Sequence, residues 1–217
     1  MAVLTDTLRL TETFLSLQGE GEHAGLLCYF IRTAGCDLRC RWCDTDYSWT
    51  GGVKHSLDDI VAGIPEGVTL VQITGGEPLL QKEAVIELIK RLSAEYAVLL
   101  ETGGHRSIEG MPAETHIVLD IKLPGSNESH HNFADNLPFL KSSDEIKFVI
   151  ADRRDYEAAR SWINEHRLHQ VCKLLVSPVF GEIAPSDLAQ WVIEDRLPVR
   201  MQLQQHKLIW DPNRRGV

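Results

Sequence analysis

Cys36-Asp37-Leu38-Arg39-Cys40-Arg41-Trp42-Cys43 sets three cysteines within one short stretch. A Cys-x3-Cys-x2-Cys loop supplies three thiolates where structural zinc and a standard 4Fe-4S cluster each take four ligands. One coordination position is therefore open. An open iron can bind and activate a small molecule, whereas a closed site holds a fold together or passes electrons. Cys28 lies in the apolar run Leu26-Leu27-Cys28-Tyr29-Phe30-Ile31, and Cys172 precedes Lys173-Leu174-Leu175-Val176. Both read as small buried hydrophobes of strands rather than as a fourth ligand. The competing reading of the triplet is a zinc knuckle completed by a distant histidine. A disulfide framework fits poorly, because five cysteines leave one unpaired and no secretory segment opens the chain.

The 217 residues suffice for one sizeable core, and sheets or barrels of this length commonly form one unit, so residues 1–217 are read as a single domain. Hydrophobic content of 43% with 24% charged residues is ordinary for a globular chain. No apolar run approaches bilayer length and residues 1–16 lack a basic leader, which predicts a cytoplasmic protein without a membrane partner. A net charge of -9 without a basic stripe argues against nucleic acid. An anionic ligand must then be met by local charge, which draws attention to Arg32 and Lys122. The pairs Arg153-Arg154 and Arg214-Arg215 read as solvated faces.

Around the cysteine loop the chain alternates between strand and helix patterns. Leu8 to Leu17 and Leu26 to Thr33 read as a strand pair flanking a glycine-rich connection. Further strands are predicted at Val68 to Ile73, Tyr96 to Leu100, His116 to Ile121, Glu145 to Ile150, Lys173 to Val176 and Val199 to Leu203. Helices are predicted at Leu57 to Ala62, Leu80 to Leu92, Asp155 to His166 and Ser186 to Glu194. The alternation implies an α/β fold with a parallel sheet covered by helices. The one long irregular stretch, Pro124 to Pro138, reads as a lid or binding loop. Within it, Glu128, His130 and His131 read as a solvated surface rather than a metal site, since adjacent residues rarely point the same way.

Polar motifs fall just after predicted strands, where ligand sites of parallel sheets gather. Thr74-Gly75-Gly76-Glu77-Pro78 either holds a polar ligand, with Glu77 taking an amine, or is a tight turn in which Glu77 caps the next helix. Glu101-Thr102-Gly103-Gly104, Asp120-Ile121-Lys122, Ser177-Pro178 and Gln204-Gln205-His206-Lys207 occupy equivalent places. Asp44 either caps a turn or contributes a carboxylate, and Thr45 offers a hard oxygen suited to a shared Mg²⁺.

The cysteine loop with an aromatic before its last cysteine, followed by Gly75-Gly76-Glu77-Pro78 after a strand, resembles the radical S-adenosylmethionine superfamily. Within it, Leu17-Gln18-Gly19-Glu20-Gly21, Arg32, Cys43-Asp44-Thr45-Asp46-Tyr47, Glu101-Thr102-Gly103 and Asp120-Ile121-Lys122 resemble the 7-carboxy-7-deazaguanine synthase family of queuosine biosynthesis. The resemblance implies a shortened, partly open β/α barrel, usually a homodimer. It implies a 4Fe-4S cluster on Cys36, Cys40 and Cys43, S-adenosylmethionine, Mg²⁺ at Thr45, and a one-electron reductase such as flavodoxin or ferredoxin. The implied reaction is a radical ring contraction of 6-carboxy-5,6,7,8-tetrahydropterin to 7-carboxy-7-deazaguanine with loss of ammonia. Leu17, Gln18, Gly19, Glu20, Arg32, Thr74 and His206 would contact the pterin. Trp42, Asp44, Gly76, Glu77, Asp120, Ile121, Lys122 and Ser177 would contact S-adenosylmethionine. Two rivals stand beside this reading: a glycyl-radical-enzyme activase with a protein substrate, and a noncatalytic zinc module. Because the chain continues through Trp210 to Val217, no role at the substrate is assigned to that segment.

Overall fold

The computed structural model describes residues 6–217, so residues 1–5 of the expected 1–217 domain lie outside the described residues. Among the described residues nine strands form one sheet: β1 (Thr7–Leu17), β2 (Leu27–Thr33), β3 (Val53–Ser56), β4 (Leu70–Gly75), β5 (Ala97–Thr102), β6 (His116–Ile121), β7 (Glu145–Ile150), β8 (Lys173–Pro178) and β9 (Arg200–Met201). Their order is β3-β1-β2-β4-β5-β6-β7-β8-β9, with β3 and β9 as its two edges. β1 pairs antiparallel with both β2 and β3, and every pairing from β2 through β9 is parallel. The sheet is thus a partly open barrel, as the family resemblance implied.

Period-2 alternation gives each central strand one apolar and one functional face. Ile31, Ile73, Leu100, Leu119, Phe148 and Val176 pack in a single core with Val85, Leu88 and Leu92 of α2 (Lys82–Leu92) and Tyr156, Ala159 and Ile163 of α3 (Arg153–Glu165). Each such fully buried Val, Leu, Ile or Phe side chain contributes roughly 1.5–3 kcal/mol. The helices, which also include α4 (Pro185–Asp195), are set by local chemistry. Ser56 caps α1 (Leu57–Ala62) by accepting the Asp59 N–H at 3.0 Å, and Asp152 caps α3 through the Asp155 N–H at 2.9 Å. The opposite face carries Gln72, Thr74, Glu101, Asp120 and Lys147, with a smaller plug of Cys28, Phe30, Leu70 and Leu99 below.

The loop after β1 bridges the open side. Its Gly21 N–H donates to Gln202 Oε1 at 2.6 Å and its Gly19 carbonyl accepts from the Gln205 N–H at 3.1 Å, joining it to the segment just past β9. Buried Glu145, at the start of β7, holds the same loop by accepting the Glu22 N–H at 2.9 Å.

Several expectations need correction. The helix read as Leu80 to Leu92 begins with a 3-10 turn, Pro78–Gln81, and becomes α-helical only at Lys82. The strand read as Val199 to Leu203 shortens to two residues, and β3 was not anticipated. The Pro124 to Pro138 stretch is a packed chain of 3-10 turns rather than an open lid. Asn136, fully buried, donates to the carbonyls of Gly104 and Arg106 and accepts from Ile108 N–H, while Asn132 pairs both ways with the Lys122 backbone. No helix among the described residues is long and apolar enough to cross a membrane.

Candidate active site

The cysteine loop follows β2 and is pinned at both ends. Gly35 N–H donates to the Ser48 carbonyl and Cys36 N–H to the Trp49 carbonyl. Arg41 N–H meets the Ser126 carbonyl and Arg39 N–H the Glu128 carboxylate, so the 3-10 segment supports the loop from below. All three thiols line one cavity of about 330 Å³. Burial pushes Cys40 up to about 11, and the Lys122 ammonium opposes that shift. Cys28 and Cys172 are buried in the strand layer and pushed up to about 12, in keeping with their reading as hydrophobes.

A single zinc ion holds thiolates at about 2.3 Å, which brings its ligand atoms close together. Among the described residues, Glu128, His130 and His131 have ligand atoms mutually within 4.8 Å. The three thiols facing one cavity supply the donor set of a 4Fe-4S cluster with one iron left without a protein ligand. The Glu128 set lies outside the cavity, with Glu128 half-buried and both histidines exposed, yet the adjacent histidine rings lie 4.1 Å apart, contrary to the expectation that they diverge.

The Thr74 to Pro78 turn is stitched to the base of that loop. Glu77 N–H donates to the Gly35 carbonyl at 2.7 Å and Gly76 N–H to the Thr33 carbonyl at 3.1 Å. Gly75 has φ +144°, and a side chain at Gly76 would overlap the Gly35 carbonyl, so both glycines are required by close backbone approach. Glu77 is fully buried and caps the 3-10 turn through Leu79 N–H, while also accepting from Thr102 Oγ1 and Gly103 N–H. The capping reading is thus realised, and about one of its four lone-pair positions is left for a ligand.

The floor carries opposed charges. Lys147 pairs with Glu101, reaches Glu20 at 3.2 Å and Asp120 at 4.0 Å, and Asp120 pairs with Lys122 at 2.8 Å. Burial opposes the Lys147 charge, but Glu101, Glu20 and Asp120 outweigh it and hold the ammonium pKa well above its ordinary value. Burial likewise opposes ionisation of Glu101, and Lys147 outweighs it in the other direction. Arg32 is oriented by Glu12 at 2.8 Å, which also accepts from Tyr47 Oη at 2.7 Å. Asp44 pairs with Lys207 at 2.8 Å rather than capping a turn.

Every sequence-predicted site residue lines this cavity except Ile121 and Ser177. Ile121 is turned into the apolar core, so its side chain is withdrawn from any cofactor. Ser177 lies beside Val149 on the functional face, fully buried, with its hydroxyl unpartnered among the described residues. His206 opens the short helix α5 (His206–Ile209) rather than ending a strand, and burial lowers its pKa. Sequence reasoning missed Gln72 and Lys147, and it placed Glu101, Gln204 and Lys207 in strand-end motifs without giving them a ligand. It assigned no contact to the final segment, where Pro212, Arg214, Gly216 and Val217 line the cavity and Arg215 stacks over the Tyr47 ring at 4.0 Å. Arg153 likewise covers Tyr156 and Trp191 instead of facing only solvent.

The sequence pattern of the Radical SAM superfamily matches residues 30–121. Over 97% of this chain and all of the relative, 43% of residues are identical to 7-carboxy-7-deazaguanine synthase of Koribacter versatilis (strain Ellin345). The same named enzyme from Chlorobaculum tepidum is 41% identical over 97% of both chains, and that from Clostridium acetobutylicum 39% over 96% and 99%. The crystal structure of QueE from Escherichia coli superposes with a TM-score of 0.72 over 92% of this chain and 95% of that one at 24% identity, a likeness of fold. With three partly exposed thiols facing a polar cavity built at the strand ends, the chain belongs to the 7-carboxy-7-deazaguanine synthase family of the radical S-adenosylmethionine superfamily.

Proposed function

We propose that the chain contracts the ring of 6-carboxy-5,6,7,8-tetrahydropterin to 7-carboxy-7-deazaguanine with loss of ammonia. The observation that carries this reading is one cavity into which both the three cysteines and the Gln18, Glu20, Arg32 and Thr74 side chains face. When bound, a 4Fe-4S cluster and S-adenosylmethionine supply a one-electron cleavage that yields a hydrogen-abstracting carbon radical. The protein's part is to hold both ligands close, oriented and away from water.

Cys36, Cys40 and Cys43 hold the cluster. The Gly76 backbone and the remaining acceptor position of Glu77 would meet the methionine amine, and Asp120 and Lys122 the other polar groups of S-adenosylmethionine, with Trp42 and Asp44 at its rim and the Ser177 hydroxyl buried behind that wall. Leu17, Gln18, Gly19 and Glu20 read the pyrimidine edge of the pterin, Thr74 and His206 complete the pocket, and Arg32, already aimed by Glu12, takes the carboxylate. Thr45, with Oγ1 3.7 Å from Cys43 Sγ, would share Mg²⁺ with the substrate carboxylate. In this reading the enzyme is a Mg²⁺-dependent carbon-nitrogen lyase, a single-domain cytoplasmic homodimer, reduced by a flavodoxin or ferredoxin.

Anaerobic incubation of the reconstituted protein with S-adenosylmethionine, dithionite and the pterin acid tests it by mass spectrometry. The expected products are 7-carboxy-7-deazaguanine and ammonia. Cleavage of S-adenosylmethionine without conversion of the pterin would overturn the substrate and leave the superfamily chemistry standing.

A further inference from the structure

Gln18 and Glu20 sit on the loop after β1 and Thr74 ends β4, yet all three are wired to one ion pair that belongs to neither segment. Glu101, at the end of β5, accepts from Gln72 Nε2 at 2.7 Å and from the Thr74 hydroxyl at 3.2 Å on one oxygen, and from Lys147 on the other. Because a carboxylate only accepts, Gln72 must turn its amine to Glu101 and its carbonyl to Gln18. Gln18 then donates its amine to Gln72 and turns its own carbonyl to the Glu20 N–H at 3.2 Å. Lys147 closes the circuit at 3.2 Å from the Glu20 carboxylate. Glu20 also receives Gln204 Nε2 at 2.9 Å. Lys147 is only 6% exposed, so this ammonium is committed to the network rather than to solvent.

We propose that the Glu101–Lys147 pair is the positioning centre of the substrate pocket, fixing which way the Gln72 and Gln18 amides point and where the Glu20 carboxylate lies. The inference rests on the functional reading above. A 2-amino-4-oxo pyrimidine edge presents adjacent N–H donors beside a carbonyl acceptor, so it is recognised by a pocket whose acceptors and donors hold fixed places. Removal of the carboxylate lets both amides reverse. Loss of the ammonium leaves the partly buried Glu101 and Glu20 carboxylates without their shared cation, and the acceptor at Glu20 swings away.

The test compares Glu101→Gln, Lys147→Met and Lys147→Arg with wild type, reading KM for the pterin acid, kcat, the Kd of S-adenosylmethionine and bound iron. Breaking a buried charge pair at a recognition site is expected to raise KM about tenfold to a hundredfold in the first two variants, with kcat changed less. Iron content and the Kd of S-adenosylmethionine should stay near wild type, and Lys147→Arg should recover part of the loss. A KM within about twofold of wild type in Glu101→Gln and Lys147→Met overturns the proposal. Should Lys147→Met fail to load iron, the isosteric Glu101→Gln decides alone. If wild type itself does not convert the pterin acid, the functional reading fails instead, which the wild-type arm reports separately.

Discussion

Cys40 lies between two unlike neighbours: apolar burial that keeps its thiol protonated and the Lys122 ammonium that favours the thiolate. Its replacement by alanine removes one of three protein ligands, so S-adenosylmethionine cleavage in Cys40→Ala should fall to background, read as 5′-deoxyadenosine by chromatography. Thr45→Ala should retain iron but lose its response to added Mg²⁺; an unchanged response would remove Thr45 from that role. His206 carries a pH dependence. Burial lowers its pKa, so the folded site favours neutral imidazole, and that preference is fully present above the ordinary value of about 6.5 and lost as pH falls below it. KM for the pterin should therefore rise on acidification below about pH 6.5 in wild type and respond less in His206→Gln. At this scale the sequence was legible where chemistry is local. The thiol triplet and the Gly-Gly turn declare themselves within a few residues, whereas Glu101 and Lys147 are 46 positions apart and become a pair only when β5 and β7 curve toward each other around β6.

The elements show why the boundaries were harder to read than the order. Pro78 and the Glu77 cap force one 3-10 turn before α2, a local competition that apolar periodicity does not register. β9 has the apolar content of a longer strand but only one neighbour, β8, and pairs over two residues. The 124–138 stretch lacked any period because it is held by side-chain bonds. Loss of the buried Asn136 amide leaves two carbonyls and one N–H unpaired, so Asn136→Ala should destabilise by about 3 kcal/mol, measured by urea denaturation. Gly76→Ala should cost about 1–3 kcal/mol through overpacking and lower bound iron, because the added methyl meets the Gly35 carbonyl and the Cys36 side chain.

For the whole molecule, the open barrel is closed by parts that no single motif announces: the loop after β1, α5 and the final segment. The Arg41–Glu182 pair, with both nitrogens on both carboxylate oxygens at 2.8 and 2.6 Å, ties the cysteine loop to the turn after β8. Being solvent-exposed, it adds little to stability. Glu182→Ala should accordingly leave the melting temperature almost unchanged while its cluster bleaches faster in air, followed by visible absorbance. The two stitches that join Gly35 to Glu77 and Thr33 to Gly76 bear on the same economy of motion. They give the thiolate loop and the amino-acid cradle a common anchor, so breathing of the barrel shifts donor and acceptor together. Since tunnelling decays steeply with separation, such shared mounting would, in the proposed reaction, hold the distance between cluster and ligand steady.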